Sequence, residues 1–144
     1  MERQLPTALL MFIASRYAMD RIFGVLRQAG LEGVSDAQMK LVMNIDVEGT
    51  RLSVLAERAQ IAKQTATALV DKLEAAGWVE RVPDPTDGRA RLVRPTSKAA
   101  PFEPVAHAEE RAIEAEWEAH LGAQRMAELR SALESLREIT DPYL

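Results

Sequence analysis

Apolar residues recur at alternating steps of three and four along almost the whole of this 144-residue sequence, and the pattern breaks once, between Trp78 and Arg94. A stripe of that period is one face of an α-helix turned toward a core. The chain is therefore held to a mainly α fold with one small β element. The first stripe runs Leu5, Leu9, Phe12, Met19, Phe23 and Leu26, is interrupted by Arg16, and ends at Gly30 and Gly33. Ser35 and Gln38 have the spacing of a capping box, opening a second helix with Met39, Val42 and Ile45 inward and Gly49 closing it. Ser53 is placed to cap a short third helix containing Leu55 and Ala56. After Gln60-Ile61-Ala62, a fourth helix is expected to bury Ala66, Leu69, Val70 and Leu73 before Gly77. Beyond Thr96 the helical period returns, with Phe102, Val105, Ile113, Trp117 and Leu121 in one stripe and Met126, Leu129, Leu133 and Leu136 in another. Pro101 and Pro104 either delay the start of that region or kink it.

Where the helical period fails, Trp78-Val79-Glu80-Arg81-Val82 and Arg91-Leu92-Val93-Arg94 read as strands. The turn formers Pro83 to Gly88 between them predict a hairpin with a long tip. Just before it, Ala56 and Ala66 are small where two steeply crossing helices would press together, a moderately specific helix-turn-helix signal. The second helix of that pair leaves Lys63, Gln64, Thr65, Thr67, Ala68, Asp71 and Lys72 facing outward. Amides and hydroxyls there can address base edges and lysines can reach phosphates, as a helix in a major groove requires. Charge agrees with this placement. Nine basic and six acidic residues lie between Arg51 and Lys98, a local +3 that leaves −7 for the rest of a chain whose total is −4. A basic middle between acidic ends suits a DNA-reading lobe carried on a scaffold that does not bind DNA.

The stretch from Leu55 through Lys63-Gln64-Thr65-Ala66-Thr67-Ala68-Leu69 to Gly77-Trp78-Val79-Glu80-Arg81 resembles the core of the MarR family, where a helix-turn-helix runs into a winged hairpin. Asp84-Pro85-Thr86-Asp87-Gly88-Arg89-Ala90-Arg91 is similar to that family's wing signature, an aspartate followed two residues later by arginine. The resemblance implies a winged helix-turn-helix fold and a sequence-specific regulator of transcription, a repressor, on double-stranded DNA. It implies a homodimer made by the terminal helices (1–34 and 99–144) around a DNA-binding lobe (35–98), all within one domain, and the terminal stripes independently ask for cover. A two-fold dimer calls for a pseudo-palindromic operator. The residues expected at the DNA interface are Lys63, Gln64, Thr65, Thr67, Ala68 and Lys72 of the recognition helix, with Asp87, Arg89 and Arg91 of the wing, where Asp87 aims Arg89 without itself touching DNA. The family often responds to small aromatic or phenolic anions. Arg16 is the candidate effector contact, with snorkelling or an interface salt bridge as its plainer explanation. Three departures from the family pattern stand out. Ala62 stands where Ser or Thr often caps the recognition helix, Gln60 sits where glycine is common, and Pro95-Thr96-Ser97-Lys98-Ala99 replaces Leu-Thr-x-x-Gly.

Other classes find little support. There is no nucleophile paired with a base and no phosphate-binding glycine loop, so no enzyme and no cofactor is expected. No cysteine is present, and the two histidines, His107 and His120, lie too far apart to begin a metal set. Neither a membrane-length apolar run nor a leader-like start is seen, so a cytoplasmic protein is expected. The alternative function is a winged-helix adaptor for proteins that has lost DNA binding.

Overall fold

The structure, a computed structural model, describes residues 3–144, so Met1 and Glu2 of the 1–34 segment lie outside the described residues. The element order is α1 (Thr7–Gln28), α2 (Asp36–Val42), β1 (Thr50–Arg51), α3 (Leu52–Arg58), α4 (Lys63–Ala75), β2 (Val79–Asp84), β3 (Asp87–Pro95), α5 (Glu103–Leu121) and α6 (Ala123–Thr140). A 3-10 turn at Ala100–Phe102 precedes α5. Pro104 thus falls in the first turn of α5, where its missing N–H leaves no bond unmade, and the prolines delay the helix rather than kink it. The chain forms two compact units, one of residues up to Ala18 with His107–Leu144, the other Met19–Ala106. The divisions fall inside α1 and α5.

The 19–106 unit has a closed core. Phe23, Leu41, Leu55, Val70, Leu73, Val79 and Val93 are fully buried, with Ile22, Leu26, Met39, Ala56 and Ala66 around them. Burying side chains of this kind stabilises by roughly 1.5–3 kcal/mol each for the larger ones. The C-terminal half of α1 therefore belongs to the core that carries the helix-turn-helix. Ser35 and Gln38 make the expected capping box, each side chain bonding the other's backbone N–H. Leu69, expected inside, is half-buried, as are Val42 and Ile45.

Two helix boundaries differ from the sequence reading. Arg51, extended at φ −64° and ψ 143°, is the N-cap residue of α3 and makes no side-chain cap, while Ser53 lies exposed inside the first turn. Gly49 does not close α2, which ends at Val42. It sits instead at φ +106° before β1, where a Cβ would stand 2.9 Å from the Leu92 Cβ. Only glycine meets both demands.

The sheet is three-stranded and antiparallel, in the order β1-β3-β2. Thr50 pairs Val93 and Arg51 pairs Leu92 on one side of β3, while Val79 to Pro83 pair Pro95 to Arg91 on the other. Asp84 then pairs Asp87, so Gly88-Arg89-Ala90 oppose nothing on β2. The predicted long tip is corrected to a two-residue turn, Pro85-Thr86, with a three-residue excursion of β3 beside it.

The other unit is built differently. Ile113 is its one fully buried hydrophobic among the described residues, and Tyr17 donates to Glu116 at 2.7 Å. Leu9, Leu10, Met11, Phe12 and Ile13 of α1 and Leu129, Leu133, Leu136 and Ile139 of α6 all lie exposed, Phe12 at 59% and Ile139 at 83%. The His120 end of α5 is separated from α6 by Gly122, between the two apolar stripes. No helix among the described residues is long and apolar enough to cross a membrane.

Candidate nucleic-acid interface

Helix α4 begins from an unusual turn. The end of α3 is a Schellman motif, with Gln60 N–H on the Glu57 carbonyl at 3.1 Å and Ile61 N–H on the Ala56 carbonyl at 3.0 Å. That motif wants a left-handed residue, and Gln60 takes it at φ +57°, its amide donating to the Glu57 carbonyl at 3.0 Å. Ala62 is the N-cap of α4 and has no side chain to accept from the first turn. Two of the three departures from the family pattern therefore fall on the four residues that turn the chain into α4.

Along α4, Ala66, Val70 and Leu73 are buried, and Lys63, Gln64, Thr65, Ala68, Asp71 and Lys72 are exposed on the opposite side. Thr67 is half-buried, and its hydroxyl donates to the Lys63 carbonyl at 2.9 Å. Its hydroxyl is thus committed within the helix. Asp71 is also engaged, because Arg81 of β2 donates to Asp71 and to Glu74 at 2.8 Å each. This clamp, which the sequence reading did not find, neutralises two acids on α4 and ties the helix to the wing's first strand.

The far end of α4 is closed by the segment that replaces Leu-Thr-x-x-Gly. Lys98 Nζ donates to the Ala76 carbonyl at 2.7 Å and lies 4.2 Å from the centroid of the Trp78 ring. The Thr96 hydroxyl donates to the Gly77 carbonyl, and Phe102 meets Trp78 edge-on at 5.6 Å. A cation at a helix C-terminus opposes the negative end of its dipole.

In the wing, Asp84 is the buried acid among the described residues, at 6% exposure. It accepts from the Thr86 backbone N–H at 2.8 Å, the Thr86 hydroxyl at 2.7 Å and Arg51 Nε at 2.8 Å. The Thr86 bonds first, then Arg51, hold its carboxyl down at about 2 from an ordinary 3.8, although burial pushes the other way. Asp87 accepts the Arg89 backbone N–H at 3.1 Å and stands 3.8 Å from Arg51. Arg89 itself is exposed and makes no ion pair among the described residues. Arg91 reaches back to the Arg81 carbonyl at 3.2 Å, and Arg94 pairs with Glu80 at 2.7 Å across the ladder. Asp84-x-Thr86 has the spacing of a side-chain turn, the one sequence signal that would have singled Asp84 out.

Arg16 lies in the other unit, exposed, with its guanidinium 5.8 Å from the Phe12 ring centroid. It does not interrupt a buried stripe, since that half of α1 is exposed throughout. Gln64, Thr65, Ala68 and the wing tip are brought onto one compact unit, and Arg16 is not among them. His107 stands 2.9 Å from Glu110, and no group of three metal-ligating side chains occurs among the described residues.

A helix-turn-helix that runs into a wing, with a third strand behind the wing, defines a winged helix-turn-helix protein. Residues 32–90 match the MarR family model, and the chain has the fold of MarR-family transcriptional regulators. MarR from E. coli, in its apo form, is 23% identical, with a TM-score of 0.69 over 94% of this chain and 98% of that one. The transcriptional regulator Tm0710 from Thermotoga maritima is 24% identical, with a TM-score of 0.62 over 96% of both chains. NadR, solved in complex with 4-hydroxyphenylacetate, is 21% identical, with a TM-score of 0.71 over 96% of this chain and 97% of that one. No curated protein matches the sequence.

Proposed function

We propose that this chain is a homodimeric, sequence-specific repressor that binds a pseudo-palindromic operator, with Gln64 and Thr65 toward base edges, Ala68 and the methyl of Thr67 close to bases or thymine methyls, Lys63 and Lys72 toward phosphates, and Arg89 in the minor groove. One observation carries the reading. A single compact unit presents an exposed polar face of α4 and, on the adjoining hairpin, an arginine whose guanidinium makes no ion pair among the described residues. A hairpin tip is slim enough for the roughly 6 Å minor groove, and a narrow A·T-rich groove concentrates negative potential around a guanidinium. Arg91, bonded to the wing's own backbone, braces the strand, and Asp87 positions rather than touches. The exposed apolar faces of α1 and α6 support dimerisation through the terminal segments 1–34 and 99–144, with 35–98 as the DNA-binding lobe. Release by a small aromatic or phenolic anion completes the proposal, on the support of the NadR complex.

The test is duplex binding by fluorescence anisotropy across a salt series, with sites selected from random sequence. A pseudo-palindromic site should emerge, with affinity falling steeply as salt rises. Absence of duplex binding at low salt would overturn the reading in favour of a protein adaptor. Addition of 4-hydroxyphenylacetate to the complex then tests the effector class, and unchanged affinity would remove that part.

A further inference from the structure

The wing is held from outside itself. Arg51 belongs to β1, thirty-three residues before Asp84, yet its Nε and a terminal nitrogen both reach Asp84 Oδ2 at 2.8 Å. The same terminal nitrogen stands 3.8 Å from Asp87 Oδ2, while the other oxygen of Asp87 accepts the Arg89 N–H. Because β3 leaves the ladder over Gly88-Arg89-Ala90, pairing with β2 does not fix the backbone of Arg89. What fixes it is Asp87 and, behind Asp87, the arginine on β1.

We propose that Arg51 is a positioning residue for DNA binding, setting the wing tip through Asp84 and Asp87 so that Arg89 is presented to the minor groove already ordered. The inference rests on the reading of Arg89 as the groove contact. Ordering a flexible tip before binding removes an entropic cost from association, so its loss appears as weaker affinity without a lost DNA contact. An alternative is that Arg51 touches a phosphate directly. The two accounts differ in sign at Asp84. Removing an acid near DNA ordinarily tightens binding, whereas loosening the tip weakens it.

The experiment measures affinity of the full-length protein for an A·T-flanked selected site with Arg51→Gln, Asp84→Asn, Arg89→Ala and the double variant Arg51→Gln/Arg89→Ala. Arg51→Gln and Asp84→Asn should each weaken binding about fivefold, a coupling on the order of that between contacting residues. In the Arg89→Ala background the Arg51 change should cost almost nothing. Arg51→Lys keeps the charge but loses the forked geometry, and should also weaken binding; it keeps the test open if Arg51→Gln fails to fold. Tighter binding by Asp84→Asn, or a full additive loss in the double variant, overturns the inference alone. If Arg89→Ala leaves affinity unchanged, the groove contact and this inference fall together.

Discussion

At the entry into α4, Ala62 supplies no side-chain cap and Gln60 carries a left-handed backbone. Serine at an N-cap accepts from the first turn, so Ala62→Ser should stabilise the protein by about 1 kcal/mol, read as a higher urea midpoint at fixed protein concentration. An unchanged midpoint would mean the extended backbone at Ala62 already satisfies those amides in another way. Asp84 has the opposite character, a residue held by more bonds than a surface acid usually has. Its folded carboxyl lies near 2, below the ordinary 3.8, so its contribution is complete above about pH 4 and is lost as the pH falls toward 2. Asp84→Asn should flatten the acid side of the stability profile over that window, and parallel profiles for the two proteins would count against it. On α4, Gln64→Ala is expected to relax discrimination at one base pair per half-site by about 1–3 kcal/mol. Lys72→Ala should instead weaken all sequences alike and flatten the salt slope; equal losses on selected and random DNA for both variants would contradict the assignment. Arg89, Gln64 and Lys72 were legible as candidates because exposure and hydrogen-bonding chemistry follow from helix face and turn position. Arg51 and Arg81 were not, because the partner of Arg51 lies across strands whose register only the folded sheet defines, and those of Arg81 lie on α4, whose packing against β2 no local pattern announces.

Among the elements, the helices were readable from their period and the wing strands from alternation between turn formers, but β1 was not. It has two residues, and Thr50 finds its partner forty-three positions away at Val93, so no local pattern announces it. The tip was read as too long for a related reason. Pro83 to Gly88 are all turn formers, yet Asp84 and Asp87 pair across a two-residue turn because Arg51 and Thr86 gather the carboxylate between them. Gly49 does not end a helix but makes the close approach before β1; glycine marks both, and its neighbours in sequence do not distinguish them. Gly49→Ala must force a Cβ against Leu92 in a left-handed backbone conformation. It should cost about 1–3 kcal/mol, and exchange of the β1 and β3 amides should rise before that of α4. Protection lost uniformly across the 19–106 unit would show that β1 is not separable from it.

For the molecule as a whole, the buried side chains set how it can be divided. Ile22, Phe23 and Leu26 are buried in the 19–106 unit, so a fragment beginning at residue 35 loses part of the core under the helix-turn-helix. Residues 19–106 should unfold cooperatively as a monomer while 35–98 does not, as followed by circular dichroism. Equal cooperativity in both would show the α1 contribution to be dispensable. In the full chain, Phe12→Glu with Leu133→Glu places charge on faces already exposed, so it should leave 19–106 folded and convert a dimer to a monomer in light scattering. A dimer that survives both changes would put the interface elsewhere. The apolar terminal stripes were visible in the sequence. So was their need of cover, but not what covers them, since periodicity says that a face is apolar and is silent on its partner.

The excursion at Gly88-Arg89-Ala90 has a bearing on how proteins of this shape diverge. The ladder from Val79 to Pro83 against Arg91 to Pro95 is complete without those three residues. A residue gained or lost there changes the reach of the arginine and leaves every paired strand position in register. If Arg89 enters the minor groove as proposed, a change of length in this segment would alter which flanking bases are favoured while the paired strands stay in register.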